Sequence, residues 1–167
     1  MPIANFKLII APHEINEEHV KKIVALFPER PLLYSEISKE HVSAAFDKLE
    51  AARVLIIDNI GMLSNLYRYA DIAYIGGGFG AGIHNILEAV AFGVPVIFGT
   101  NHKKFPEADE LVQRGGGFSI SGKEEFQKAI GLLLSDEMVL QMASMTCKNF
   151  VQGRKGATER ILKEISG

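Results

Sequence analysis

The chain has 167 residues and a mass of 18.3 kDa, and eighteen Lys and Arg against twenty Asp and Glu leave a formal charge of −2, with no electrostatic bias toward nucleic acid or an anionic membrane. At 47% hydrophobic and 23% charged it has an ordinary globular composition that argues against disorder, and its length suits one domain removing ~70% of the unfolded surface from water. A lone cysteine, Cys147, excludes an internal disulfide and a cysteine-cluster metal site, and no apolar run approaches the ~18 residues of a membrane span.

Residues 1–6 lack a basic region followed by a long apolar segment, so the start does not read as a signal peptide. Residues 7–11 (KLIIA) form a continuous apolar run ended by Pro12, the pattern of a strand buried on both faces. Val20, Ile23, Val24 and Phe27 then recur at helical spacing, with Asn16 placed to cap the helix and Pro28 and Pro31 to stop it. A short strand over 32–34 follows. Over 38–52, Val42, Ala45, Phe46 and Leu49 define one helical face, and 54–58 (VLIID) is the clearest buried strand. Residues 59–69 read as a turn and a short helix, 72–75 as a fourth strand, and 85–92 as a helix with Gly93 at its C-cap. The fifth strand covers 94–98, with Pro95 tolerated near its start.

A helix over 105–114, closed by Gly115, Gly116 and Gly117, leads to a sixth strand over 118–120. Phe126, Ala129, Ile130, Leu133 and Leu134 mark the next helix. Met138, Met142 and Met145 mark another, their stripe read as core packing, and Ile161, Leu162 and Ile165 the last. Strand and helix alternate throughout, which predicts βαβ units and a doubly wound parallel sheet of the Rossmann-like α/β class. No internal repeat or linker interrupts it, so one domain over 1–167 is expected.

Five of the sixteen glycines cluster within 76–88 (GGGFGAGIHNILE), between a predicted strand and a predicted helix. Glycines there let the backbone turn sharply and approach a ligand closely, and the amides of a following helix favour an anion such as phosphate. In open parallel sheets, ligands bind at the carboxyl ends of strands, where this loop falls. It is not a dinucleotide fingerprint: Gly78, Phe79 and Gly80 give G-x-G, but position 83 is Ile83 and the loop follows the fourth strand. Nor is it a Walker A loop, because no Gly-Lys-Ser/Thr follows. His84, Asn85 and Glu88 stand directly after the glycines, and spacing permits His84 and Glu88 to share one side of a helix start. A carboxylate there suits the paired hydroxyls of a ribose. No metal is expected, since neither residue has a visible partner set.

The stretch YADIAYIGGGFGAGIHNILEAVAFGVPVIFG (69–99), followed by HKKFPEADEL (102–111), resembles the C-terminal half of bacterial 3-deoxy-D-manno-octulosonic acid (Kdo) transferases. These are inverting glycosyltransferases of the two-Rossmann-domain, or GT-B, architecture. IIAPHEI (9–15) is similar to the opening strand and loop of that domain, and VLIIDNIGML (54–63) to its Asp-Thr-Met-Gly-Glu type segment.

The resemblance implies a donor-binding domain that takes CMP-Kdo, with the lipid A precursor acceptor and the catalytic base served by an N-terminal half outside this chain. It implies no cofactor, no catalytic residue within this chain, and a place for the full-length enzyme on the cytoplasmic side of the inner membrane, reached through that other half. Gly76, Gly77 and Gly78 match the family's glycine turn, His84 and Asn85 its His-Asn pair, and Glu88 the ribose-holding glutamate. Phe105 and Glu107 match an Asn-Phe-x-Glu segment, Asp58 and Gly61 the remnant of the acidic motif, and His13 and Glu14 the loop after the first strand.

Three departures stand out. The family's Pro-Arg pair is absent from the loop FGAGI (79–83), Ile86 replaces the proline after His-Asn, and Met62 replaces a glutamate. Positive charge toward the donor is then left to His84, Lys103, Lys104 or Arg154. Two other readings stay open: the C-terminal domain of a UDP-dependent transferase or epimerase, and a non-catalytic nucleotide-binding module. Cys147 reads as a core thiol rather than a nucleophile, and GRKG (153–156) as a helix break.

Overall fold

The computed structural model describes residues 6–80 and 82–154. The expected last helix at Ile161, Leu162 and Ile165, and half of the GRKG turn, lie outside the described residues. The chain forms two compact units, Met1–Asn65 and Leu66–Gly167.

The first unit runs β1 (Leu8–Ile10), α1 (Glu17–Val24), β2 (Leu32–Leu33), α2 (Tyr34–Ile37), α3 (Val42–Ala51), β3 (Val54–Ile56) and the start of α4 (Leu63–Leu66). Its sheet is parallel in the order β1-β3-β2, pairing Leu8 with Val54 and Leu32 with Leu55. Asn16 caps α1 as expected, its side chain accepting a bond from the His19 N–H at 2.8 Å. Two sequence expectations fail here. β1 is not buried on both faces: as an edge strand it leaves Leu8 and Ile9 exposed, while the central β3 runs into the buried Ile56 and Ile57. The inward row of α3 is Ala45 and Leu49 alone, and Val42 and Phe46 face outward at 80% and 66% exposure. An apolar stripe two residues wide at each turn exceeds what a ten-residue helix on so small a sheet can cover.

The second unit continues with a 3-10 turn (Tyr67–Tyr69), β4 (Ala73–Tyr74), α5 (Leu87–Ala91), β5 (Val96–Gly99), α6 (Pro106–Arg114), β6 (Gly117–Ile120), α7 (Lys123–Ser135) and α8 (Glu137–Gln152). The sheet is again parallel, in the order β4-β5-β6. β5 is wholly buried, and its alternating side chains serve two cores. Val96 and Phe98 join Ala89, Val90, Leu111, Cys147 and Phe150, whereas Ile97 joins Ile120, Leu133 and Ala143. Helices therefore cover both faces, the arrangement expected of a doubly wound α/β fold. Gly93 and Gly115 end α5 and α6 with φ of +76° and +80°.

The methionine stripe does not pack into this core. Met138, Met142 and Met145 are 67%, 68% and 59% exposed, because α8 turns Ala143, Cys147 and Phe150 inward instead. Among the described residues no helix is long and apolar enough to cross a membrane.

Candidate functional site

The site grows from the carboxyl ends of β4 and β5. Past β4, Ile75 still donates its N–H to the Ile97 carbonyl at 2.9 Å, and the chain then turns through Gly76, Gly77 and Gly78. Gly77 and Gly78 have φ of +88° and +82°, which disfavour any side chain. Space excludes one too. A Cβ on Gly77 would lie 2.6 Å from the Gly82 carbonyl oxygen, and one on Gly78 would lie 2.7 Å from the backbone of Gly99. The exclusion is mutual, since a Cβ on Gly99 would sit 2.5 Å from Gly78. The two strand ends thus meet backbone to backbone.

The loop returns through an antiparallel bridge between Gly77 and Ile83, after which the His84 N–H donates to the Gly76 carbonyl at 3.1 Å. Ile83 and Ile86 are buried and fix the exit of the loop; His84 and Asn85 between them stay exposed, with the His84 ring against Gly76. α5 begins only at Leu87, so His84 lies outside the helix and does not share a helical face with Glu88. Asn85 ties the two stretches instead. Its Oδ1 accepts from the Leu87 N–H at 3.0 Å, and its Nδ2 donates to Glu88 Oε1 at 3.0 Å. Glu88 is exposed and oriented by that bond. A carboxylate has about four acceptor positions, so one amide contact leaves capacity for a diol.

Tyr67, which sequence reasoning missed, stands beside this pair. Its phenol is pushed up by burial and, second, by the Glu88 charge, which keeps it a neutral donor. Nothing in the sequence marked it, because its place depends on the turn before β4.

The loop after β5 closes the other side. Phe105 is half-buried with its ring toward Gly82, where a Cβ would come within 3.2 Å of Phe105 Cε2. Lys103 and Lys104 are exposed on this loop, and Glu107 is half-buried in the first turn of α6. Glu107 and Asp109 place negative charge at the α6 N-terminus and weaken it as an anion site. Arg154 is engaged elsewhere, pairing with Glu110 and lying 3.6 Å above the Phe150 ring; this guanidinium heads the causes that hold the Glu110 carboxyl below its usual range. Of the four basic residues the sequence offered, His84, Lys103 and Lys104 are those on the two strand-end loops.

Sequence reasoning also passed over Asn101 and His102. The Asn101 N–H donates to the Gly78 carbonyl at 2.9 Å, and its Nδ2 to the Gly80 carbonyl at 2.7 Å. His102 points the other way. Its Nε2 lies 3.0 Å from Ser119 Oγ, its Nδ1 lies 3.1 Å from Asp109 Oδ1 without the alignment of a hydrogen bond, and its ring meets Phe98 edge-on at 5.2 Å.

Asp58, Gly61 and His13 belong to the first unit. The Asp58 carboxylate accepts from the Ser35 N–H at 2.8 Å and from the Ser35 hydroxyl, so it anchors the start of α2 to the end of β3. Gly61 has φ +94° with open space around its Cα, and His13 and Glu14 are exposed in the bend after β1. Among the described residues no group of three or more His, Cys, Asp or Glu side chains is arranged to hold a metal ion. Cys147 is fully buried, its Sγ 3.4 Å from the Gly116 carbonyl, and burial pushes its thiol up to about 12.

Parallel sheets flanked by helices, with a glycine turn at the strand ends, define the class as a Rossmann-like α/β domain. The solved C-terminal CMP-Kdo binding domain of WaaA from Acinetobacter baumannii has this fold, with a TM-score of 0.59 at 16% identity, covering 90% of this chain and 91% of that one. In sequence the chain is similar to 3-deoxy-D-manno-octulosonic acid transferases. That of Chlamydophila psittaci is 35% identical over 133 residues, 78% of this chain and 29% of the relative. A bifunctional glycosyltransferase/methyltransferase of Fusobacterium nucleatum is 33% identical over 130 residues, 77% of this chain and 20% of the relative. The chain thus spans under a third of the length of these curated relatives. No protein-family profile matches it. The resemblance read from the glycine turn and the His-Asn-x-x-Glu run is borne out.

Proposed function

We propose that this chain is the donor-binding domain of an inverting glycosyltransferase that transfers Kdo from CMP-Kdo to a lipid A precursor in lipopolysaccharide synthesis. The observation that carries the reading is the backbone ledge at Gly78 and Gly99, with the hydrogen-bonded Asn85–Glu88 pair at the exit of the same loop. Bare backbone at the ends of parallel strands admits a phosphate closely, and an oriented exposed carboxylate suits a ribose diol. Gly76, Gly77 and Gly78 form the turn, Glu88 takes the ribose hydroxyls, and His84 with Lys103 faces the phosphate. Phe105 and Glu107 border the donor. No metal or cofactor takes part; CMP is the leaving group, its charge met by fixed donors.

Acceptor recognition, the general base and attachment to the cytoplasmic side of the inner membrane fall to the parts of the relatives that this chain does not span. Titration with CMP and UDP, followed by amide shifts, tests the reading. CMP is expected to bind with millimolar or better affinity and shift Gly77, Gly78 and His84, and Glu88→Ala weakens it about tenfold by loss of a charged hydrogen-bond pair. A preference for UDP, or wild-type affinity in Glu88→Ala, overturns it.

A further inference from the structure

Two adjacent residues after β5, Asn101 and His102, point to opposite sides of the chain and connect the core to the glycine turn. His102 is fixed from within by Ser119 on β6 and by the Phe98 ring beneath it. Asn101 is therefore presented outward from an anchored point. It meets the turn twice, through its backbone N–H to the Gly78 carbonyl and its side-chain amide to the Gly80 carbonyl. Those carbonyls belong to a stretch that needs such support. Gly77 and Gly78 have left-handed φ, Phe79 is 54% exposed, and Gly80 has nothing within 4 Å of its Cβ position. Without external bonds, consecutive glycines sample many conformations.

We propose that Asn101 is a positioning residue that clamps the glycine turn in its ligand-ready form, so that nucleotide binding does not have to order the loop. His102 serves as the anchor of that clamp. The Asn101 backbone N–H bonds Gly78, and its side-chain amide reaches Gly80, two residues further along the loop. Removing the amide therefore frees the outer loop while the strand-end contact persists. The nucleotide part of this inference rests on the function proposed above; the clamp itself does not.

The experiment uses the 167-residue chain with Asn101→Ala and Asn101→Asp, the latter keeping the shape and removing the donor. Amide shifts and heteronuclear 1H–15N NOE values of Phe79, Gly80 and Gly82 are measured without nucleotide, beside the thermal midpoint, and CMP is then titrated. Expected are lower NOE values and displaced shifts at Phe79 and Gly80, and CMP affinity lower by about fivefold, the equivalent of one lost hydrogen bond, with a thermal midpoint lowered by no more than about 2–4 °C. Should Asn101→Ala not fold, Asn101→Asp carries the loop readouts. Unchanged NOE values at Phe79 and Gly80 in the folded variant overturn the clamp. Lower NOE values with unchanged CMP affinity overturn its role in binding. If the unaltered chain fails to bind CMP, the proposed function falls, while the NOE result still decides the clamp.

Discussion

The contact between Gly78 and Gly99 permits a quantitative test, because three glycines of the second unit separate sterics from conformation. Gly99→Ala introduces a Cβ 2.5 Å from the Gly78 backbone, without a left-handed φ at Gly99 itself. Backbone rather than a flexible side chain is in the way, so a strand end must shift, at a cost of about 1–3 kcal/mol. Gly115→Ala has the opposite character, with φ +80° and nothing within 4 Å, and costs about 1 kcal/mol from conformation alone. Gly78→Ala combines both and should lose about 2–5 kcal/mol, a large part of the ~5–15 kcal/mol typical of a domain. Since the chain has no tryptophan, far-UV circular dichroism in urea and on heating is the assay, at ~2–4 °C per kcal/mol for a chain of this size. The expected order of destabilisation is Gly78→Ala, then Gly99→Ala, then Gly115→Ala. A Gly99→Ala protein with the unfolding midpoint of the wild type refutes the close approach on which the ledge depends.

Asp58→Ala should destabilise the first unit by about 1–2 kcal/mol through loss of both bonds to Ser35, and protection of the Ser35 amide in hydrogen exchange should fall with it. Cys147 should resist iodoacetamide at pH 8 in the folded chain and react promptly in urea, since burial holds the thiol at about 12; mass spectrometry reads the difference. Glu36 is held below the usual carboxylate range first by its bond to Arg30, so its contribution is full above the unfolded value near ~4.3 and is lost as pH falls through the lower folded value. The difference in urea midpoint between wild type and Glu36→Gln should accordingly be constant from pH 6 to 8 and shrink below about pH 4. Replacing Met138, Met142 and Met145 together by Gln should change stability by less than about 1 kcal/mol, because all three are exposed; a larger loss in the same urea titration would return them to the core.

Local chemistry was legible in the sequence. Alternating apolar runs and helical periodicity gave all six strands, because each pattern is set within a few residues. Asn16, Gly93 and Gly115 announced helix ends for the same reason: a cap is satisfied by its immediate neighbours. The position of the glycine turn between a strand and His84-Asn85 was likewise local. What the turn touches was not. Gly99 as the partner of Gly78, Asn101 bonding Gly80 across 21 residues, and Asp58 reaching Ser35 across 23 all depend on which strand ends lie side by side. The same holds for the face α8 buries: Ala143, Cys147 and Phe150 and the methionines obey one helical period, and only packing against β5 and its neighbours chose between them. Spacing along a chain fixes the period of a pattern, but its phase relative to the rest of the molecule is decided by contacts between residues far apart in sequence.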